Sequence, residues 1–292
     1  MKLLIAGCGY LGRRVALSAR EAGMAVTALT RSGSPDPALT AAAIPLLTAD
    51  LDQPRTLAAL DLDATTVLYL APPPERGSSD PRITTFGATF SAKPRPLKIV
   101  YLSTTGVYGD CGGALIDEAA PLRPATDRAR RRQAAEETLR SCCAAAGVAL
   151  VILRAAGIYG PGRLPLAALS AGQPVVRREE APCSNRIHVD DLAAICLAAV
   201  ERGPDGAIYN ACDSDSSSLT DYFLAVAAAF GLPSPPQISL AEAQQRLSPA
   251  LLSYLGESRR VDNRRVLSEL GLTLRYPDLQ SGLAACRAEQ DR

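Results

Sequence analysis

The sequence predicts an α/β fold in which helices cover both faces of a parallel β-sheet. Three observations carry that prediction. Short apolar, β-branched runs recur at 2–6 (KLLIA), 25–30 (AVTALT), 66–71 (TVLYLA), 98–103 (KIVYLS), 148–154 (VALVILR) and 207–211 (AIYNA). Amphipathic stretches such as RRVALSAREAG and LAALDLD lie between them, long enough to return the chain as crossover helices. The strand runs are apolar throughout instead of alternating, as burial on both faces requires. After Ala211 the pattern stops. LTDYFLAVAAAFG, LAEAQQRL and NRRVLSELG read as helices joined through Pro233, Pro235 and Pro236, a smaller, mainly helical C-terminal lobe over the strand ends. Open α/β sheets hold their ligands at those ends.

The whole-chain properties narrow the class. At 292 residues, 47% hydrophobic and 21% charged, the chain suits one large domain or a main domain with a lobe. A net charge of +1 supplies no global field for nucleic acid or anionic lipid. The eight cysteines include no C-x-x-C, and His188 is the single histidine, so no ordinary zinc set is expected. Free thiols and a cytoplasmic location are the expectation. The apolar stretch from Leu3 to Ala6 falls short of the ~7–15 residues of a signal core, and no run approaches the ~18 of a membrane span.

The first strand run leads straight into Gly7-Cys8-Gly9-Tyr10-Leu11-Gly12, a G-x-G-x-x-G placed between strand and helix. Gly7 permits a tight turn, Gly9 lets a diphosphate approach the backbone, and Gly12 lets helix and strand pack closely. With the N–H groups of the following helix, Gly7, Gly9, Tyr10, Leu11 and Gly12 are expected to cradle a dinucleotide on a Rossmann-type, doubly wound sheet. At the end of the second run, Leu29-Thr30-Arg31-Ser32 offers no carboxylate for a ribose 2′-hydroxyl, and no acid follows until Asp36. Arg31 instead presents a guanidinium fork suited to a 2′-phosphate, which favours NADP(H) over NAD(H).

STTGVYGD after the run at 98–103, ILRAAGIYGPGR and RIHVDDLA together resemble the extended or atypical short-chain dehydrogenase/reductases, the NAD-dependent epimerase/dehydratase-like proteins. The resemblance runs from Met1 to about Asp213, with a weak continuation in SRRVDNRRVLSELG. It implies a bound nicotinamide dinucleotide and a hydroxyl residue that hydrogen-bonds the reacting oxygen. Three residues before the valine of V-Y-G, that residue is Thr104, flanked by Ser103 and Thr105. Asp50 and Leu51 are implied near the adenine. Ala71, Ser103, Ala156 and Ile158 are implied along the rest of the cofactor. Residues 1–156 with 185–212 would form the dinucleotide-binding domain, and 157–184 with 213–292 a substrate-binding lobe. The implied activity is an oxidoreductase or epimerase acting on a carbonyl or hydroxyl, with a nucleotide sugar among the candidate substrates. Arg163, Arg177, Arg178 and Arg186 are either contacts for such a diphosphate or surface charges.

One motif of the family is missing. Its Y-x-x-x-K should end four residues before the glutamate of an A-A-E sequence, here Glu136, which places Arg128 at the tyrosine and Arg132 at the lysine. The chain has three lysines, Lys2, Lys93 and Lys98, and none has a tyrosine four residues before it. At 100° per residue, Ala135, Leu139, Cys142 and Ala146 form an apolar stripe that extends back to Arg132 and Arg128. Both are expected to point inward, with Arg130 and Arg131 as solvent-facing charges. An inward guanidinium needs an anion, either on a small-molecule substrate or from Glu136 or Asp127. It can clamp that anion but is no general base near pH 7. Proton transfer then falls to Thr104, to Tyr108 or Tyr159, or to water; packing is the alternative role for both tyrosines. His188 reads as structural, with Asp190 and Asp191 opening a helix. The missing pair leaves a second reading open, a non-catalytic dinucleotide-binding sensor. Neither nucleic acid nor membrane is an expected partner, and monomer and homodimer both remain compatible.

Overall fold

In the computed structural model, which describes residues 1–90 and 94–290 and so leaves Lys93 outside, all six apolar runs are strands. They are joined by one strand that the sequence pattern does not reveal. In chain order the sheet contains β1 (Lys2–Ala6), β2 (Ala25–Thr30), β3 (Leu46–Thr48), β4 (Thr65–Tyr69), β5 (Lys98–Thr104), β6 (Ala149–Ala155) and β7 (Ile208–Ala211). The unforeseen strand is β3, an edge only three residues long. The spatial order is β7-β6-β5-β4-β1-β2-β3, with every pairing parallel. The order reverses between β1 and β4, which opens a crevice at their C-terminal ends.

Helices α1 (Tyr10–Glu21), α2 (Pro81–Ala88), α3 (Asp127–Ala146) and α4 (Val189–Arg202) cover the two faces. Leu3 and Ile5 of β1 pack with Val15, Leu192 and Ile195 on the α1/α4 side. Leu4 and Ala6 point the other way, toward Phe86, Tyr101 and Leu139 on the α2/α3 side. Alternate side chains therefore enter different cores, and both must be apolar, which is why the runs lack a polar alternation.

LAALDLD does not form the expected crossover helix. Residues Pro54–Ala59 make a 3₁₀ helix, and the chain then turns before β4. The Asp61 carboxylate accepts the Asp63 N–H at 3.0 Å, a local bond that competes with helical pairing.

Beyond β7 the chain is mainly helical, with α5 (Leu219–Ala229), α6 (Pro249–Leu255) and α7 (Leu279–Gln290). Three two-stranded parallel ladders supplement it: Gly157–Tyr159 with Arg186–His188, Val175–Val176 with Gln237–Ile238, and Leu115–Ile116 with Arg260–Val261. Tyr159, Val175, Tyr222, Phe223 and Leu283 form a separate core there, whereas Val266, Leu270 and Leu274 pack into the core of the sheet. Among the described residues no helix is long and apolar enough to cross a membrane.

A buried polar network joins α3 to the C-terminal halves of three strands. Glu136, with no exposed surface, accepts from Ser103 Oγ at 2.6 Å, from Arg154 Nε and Nη2 at 3.2 and 2.8 Å, and from Arg140 Nη2 at 3.1 Å. Arg154 Nη1 donates on to Tyr108 Oη at 3.0 Å, and that phenol donates to Asn210 Oδ1 at 2.7 Å. Truncating one member strands the charge of the other in the core. Glu136→Ala should therefore destabilise the protein by about 3–5 kcal/mol in urea unfolding, and the pair of apolar replacements Glu136→Leu with Arg154→Met should recover most of the loss. Equal destabilisation by the single and double variants would contradict this account.

Candidate functional site

A cavity of about 560 Å³ lies where the strand order reverses. Its floor is the loop after β1. Gly7 adopts φ +101°, and a Cβ there would stand 2.5 Å from Ala71 N, so no side chain fits. A Cβ on Gly12 would meet Gly7 O at 2.6 Å, which lets α1 start directly against the strand end. Apart from its chain neighbours, no atom of the described residues lies within 4 Å of where a Cβ of Gly9 would be. The first turn of α1 has no side-chain cap and no acidic residue. Its free N–H groups and positive dipole end thus remain available to an anion in the cavity. Cys8, between two of these glycines, has its thiol pushed up to about 11 by burial, so it is protonated at neutral pH.

The residues predicted for the dinucleotide largely come together. Gly7, Gly9, Tyr10, Leu11 and Gly12 line the cavity, as do Arg31 after β2, Asp50 and Leu51 after β3, Ala71 after β4, and Ile158. Arg31 is exposed and has no hydrogen bond or ion pair among the described residues. Four arginines line the cavity (Arg31, Arg82, Arg132 and Arg163), against one carboxylate, Asp50. That carboxylate is held by its own turn, accepting from Asp52 N at 3.0 Å and Gln53 Nε2 at 3.1 Å.

Arg82 was not visible from the sequence. It donates to both oxygens of Asp52, at 2.8 and 2.6 Å, and to Pro72 O at 2.9 Å, and the ion pair holds the Asp52 carboxyl below its usual range. The two residues are 30 positions apart and no local motif links them.

Ser103 and Ala156 do not line the cavity. The Ser103 hydroxyl is committed to Glu136, and Ala156 packs against Cys212 and Val261. Thr104, half-buried at the end of β5, accepts the Gly106 N–H at 3.2 Å; its own hydroxyl hydrogen has no acceptor among the described residues. Tyr108 is corrected as a proton donor. It is fully buried, its phenol already donates to Asn210, and burial raises its pKa. Tyr159 fails likewise: it is 1% exposed, and burial drives its phenol far above the ordinary range.

The arginine helix divides differently from the simple stripe. Arg132 does face the cavity, where Nη1 donates to Leu102 O at 2.9 Å and Tyr101 Oη at 3.1 Å. Arg128 is half-buried but lies off the cavity, its guanidinium 4.2 Å over the ring of Tyr254 in α6. Neither pairs with Glu136 or Asp127, since Glu136 serves Arg154 and Arg140 while Asp127 pairs with the exposed Arg130 at 2.8 Å. Arg131 is a correction. It is 8% exposed and donates to Gly77 O at 2.6 Å, because the loop after β4 folds over that flank of α3.

His188 is buried and supports the frame. It caps α4 by accepting the Asp190 N–H at 3.3 Å, and its Nε2 lies 3.7 Å from Cys286 Sγ of α7. Burial lowers its pKa, so the ring is neutral. Asp190 and Asp191 fall in the first turn of α4 as expected.

Residues 3–212 match the family model described as the NAD dependent epimerase/dehydratase family. The Escherichia coli K12 protein YeeZ is 29% identical over 181 residues, 62% of this chain, and the match spans 59% of YeeZ. A conserved protein of unknown function from Silicibacter pomeroyi superposes with a TM-score of 0.85 at 32% identity, covering 99% of this chain and 98% of that one. The structure of MoeE5 in complex with UDP-glucose and NAD superposes at 0.75 with 22% identity, over 100% and 99% of the two chains, a likeness of fold.

A second polar cluster lies where the later ladders meet β7. The Arg186 guanidinium stacks 3.7 Å from the centre of the Tyr222 ring, and Asp213 is 3% exposed with Oδ2 unpartnered. Burial, with help from the charges of Asp215 and Asp278, pushes the Asp213 carboxyl up to about 8, against the opposing pull of the Asp215 N–H and Arg186. Its folded pKa exceeds its unfolded one, so folding takes up a proton between about pH 4 and 8. That contribution to stability is complete below the unfolded pKa and disappears as pH rises through about 8. Asp213→Asn should accordingly gain on the order of 5 kcal/mol over the wild type at pH 8.5, with little difference at pH 4. Urea unfolding at both pH values checks this; a gap that does not change with pH would disprove it.

Proposed function

The chain belongs to the NAD-dependent epimerase/dehydratase family, and from that premise we propose that it is an NADP(H)-dependent oxidoreductase or epimerase acting on a carbonyl or hydroxyl group of a small molecule. The observation that carries this reading is the uncapped first turn of α1, facing a cavity lined by four arginines and one carboxylate. Such a surface suits a ligand with several phosphate charges. In this reading the N–H groups of Leu11 and Gly12 hold the diphosphate, Arg31 takes the 2′-phosphate, and Asp50 and Leu51 border the adenine. Ala71 and Ile158 flank the nicotinamide. The nicotinamide, when bound, supplies hydride exchange.

The chain's own residues orient and donate. Thr104 has a free hydroxyl hydrogen for the reacting oxygen. Arg132, in the place of the lysine, puts a guanidinium at the cavity wall without a carboxylate partner among the described residues. Arg128 stands one turn earlier, toward α6, where an anionic group of the substrate would meet it. Segments 157–184 and 213–292 would supply the substrate lobe, and eight free cysteines accord with a cytoplasmic setting. The loss of Y-x-x-x-K supports a second reading, a sensor that binds NADP(H) without turnover.

Calorimetry with NADP⁺, NADPH, NAD⁺ and NADH, followed by a screen of sugars, aldehydes and ketones for NADPH consumption, separates these readings. Turnover supports the enzyme, tight binding without turnover the sensor, and no binding at all removes both. Arg31→Asp should weaken NADP⁺ by about 10- to 100-fold while changing NAD⁺ little, in keeping with a charge-assisted phosphate contact. Equal losses for the two would refute the 2′-phosphate role.

A further inference from the structure

Tyr10, the first residue of α1, lies between two guanidinium groups. Arg14 Cζ is 4.3 Å and Arg163 Cζ is 4.6 Å from the centre of its ring. The two cations are not equivalent. Arg14 is neutralised by Asp190, with Nε 3.0 Å from Oδ1, and it also donates to Tyr10 O. Arg163 is exposed, lines the cavity, and its guanidinium has neither hydrogen bond nor ion pair among the described residues. Its position is nevertheless fixed. It follows the turn Gly160-Pro161-Gly162, closed by Arg163 N to Gly160 O at 3.0 Å, and Tyr10 Oη donates to Pro161 O at 2.9 Å.

The turn is built against Tyr10. A Cβ on Gly160 would stand 2.6 Å from both the Tyr10 hydroxyl and Val189 Cγ1, and the φ of +153° there itself favours glycine. The other cations of the cavity have different surroundings. Arg82 is paired with Asp52, Arg132 bonds Leu102 O and Tyr101, and Arg31 stands at the end of β2. Among these four, Arg163 is the one that stacks on the ring of α1's first residue, and its guanidinium has no hydrogen bond or ion pair among the described residues. The Arg163 guanidinium and the first turn of α1 line the same cavity. An anion between them would satisfy both and relieve the repulsion between Arg163 and Arg14.

We propose that Arg163 clamps the diphosphate of the dinucleotide from the side opposite α1, Tyr10 serving as the platform that aims it. The proposal rests on the dinucleotide reading above. It removes Arg163 from the candidate contacts of a nucleotide-sugar substrate and makes the Gly160–Arg163 turn part of the cofactor site. Cofactor binding would thereby tie the Gly157–Tyr159 strand and its turn to α1.

The diphosphate is common to both dinucleotides, so its clamp must not discriminate between them. Calorimetric titration of the full chain with NADP⁺ and NAD⁺ should show Arg163→Ala weakening both by a similar factor, about 10- to 100-fold. Arg163→Gln, which keeps the reach without the charge, should be as weak as the alanine variant, and Arg163→Lys should recover part of the loss. Melting temperatures without ligand should match the wild type, since the side chain is exposed. Wild-type binding that Arg163→Ala leaves within twofold overturns this proposal alone. So does a loss confined to NADP⁺, or glutamine restoring affinity as well as lysine. A wild type that binds neither dinucleotide overturns the reading beneath it as well.

Discussion

A carboxylate with no exposed surface holds the C-terminal end of the sheet together. Glu136 is tolerated in the core because four donors surround it, two from Arg154 and one each from Ser103 and Arg140. Through these bonds α3 is locked to β5 and β6, and through Tyr108 and Asn210 the same network reaches β7. The position of α3 sets the positions of Arg132 and Arg128, one and two turns before Glu136. Without the glutamate the helix would still pack through Ala135 and Leu139, but its rotation against the strand ends would rest on the bonds of Arg132 to Leu102 O and Tyr101. The network also explains why Tyr108 contributes no chemistry: its hydroxyl is a structural link.

The Glu136 pair has a further electrostatic effect. Its carboxylate is occupied by Arg154 and Arg140, so it is unavailable to Arg132, whose hydrogen bonds end on a carbonyl and a phenol. Arg31 and Arg163 likewise have no anionic partner among the described residues, and α1 begins without an acidic cap. Cations left unneutralised around one cavity repel each other, and the fold gains nothing from them when the cavity holds only water. Their arrangement makes physical sense as complementarity to a ligand that brings its own negative charge.

Much of this was legible in the sequence because it depends on local pattern. The six longer strands are apolar on both faces, so composition alone exposes them, and the glycine loop is constrained within six consecutive residues. What was missed depends on distance or on competition. Three residues of β3 are too few to establish a pattern. In LAALDLD an aspartate turn outweighs apolar spacing. Arg131 lies on a flank of α3 that is solvent-facing until the loop containing Gly77 covers it. The Asp52–Arg82 pair joins separate crossovers, and the place of Arg163 beside Tyr10 depends on a turn that begins about 150 residues later. The stripe argument worked for Arg132 because one turn of helix separates it from the Glu136 anchor; at Arg128, a turn further out, the packed core has ended and Tyr254 decides.

The replacement of Y-x-x-x-K by arginines, on the proposed reading, divides work that one tyrosine–lysine couple would do together. A lysine beside a tyrosine lowers the phenol's pKa and orients the cofactor; a guanidinium can still orient and neutralise, but it cannot release its proton near pH 7. The two tyrosines the sequence offers as replacements, Tyr108 and Tyr159, are shifted the wrong way, both raised by burial, so neither compensates. What remains able to donate at the strand end is the Thr104 hydroxyl, whose lone pair is already pinned by Gly106 N–H. A hydroxyl of that kind stabilises charge on a reacting oxygen better than it delivers a proton, so net proton transfer would depend on water entering with the substrate. Hydride transfer to a substrate that gains or loses its proton slowly is still feasible, and an anionic group held at Arg128 would orient such a substrate over the nicotinamide. The same geometry therefore favours binding and orientation over fast acid–base chemistry, which places both proposed functions, slow oxidoreductase and sensor, on one physical continuum set by how the proton reaches Thr104.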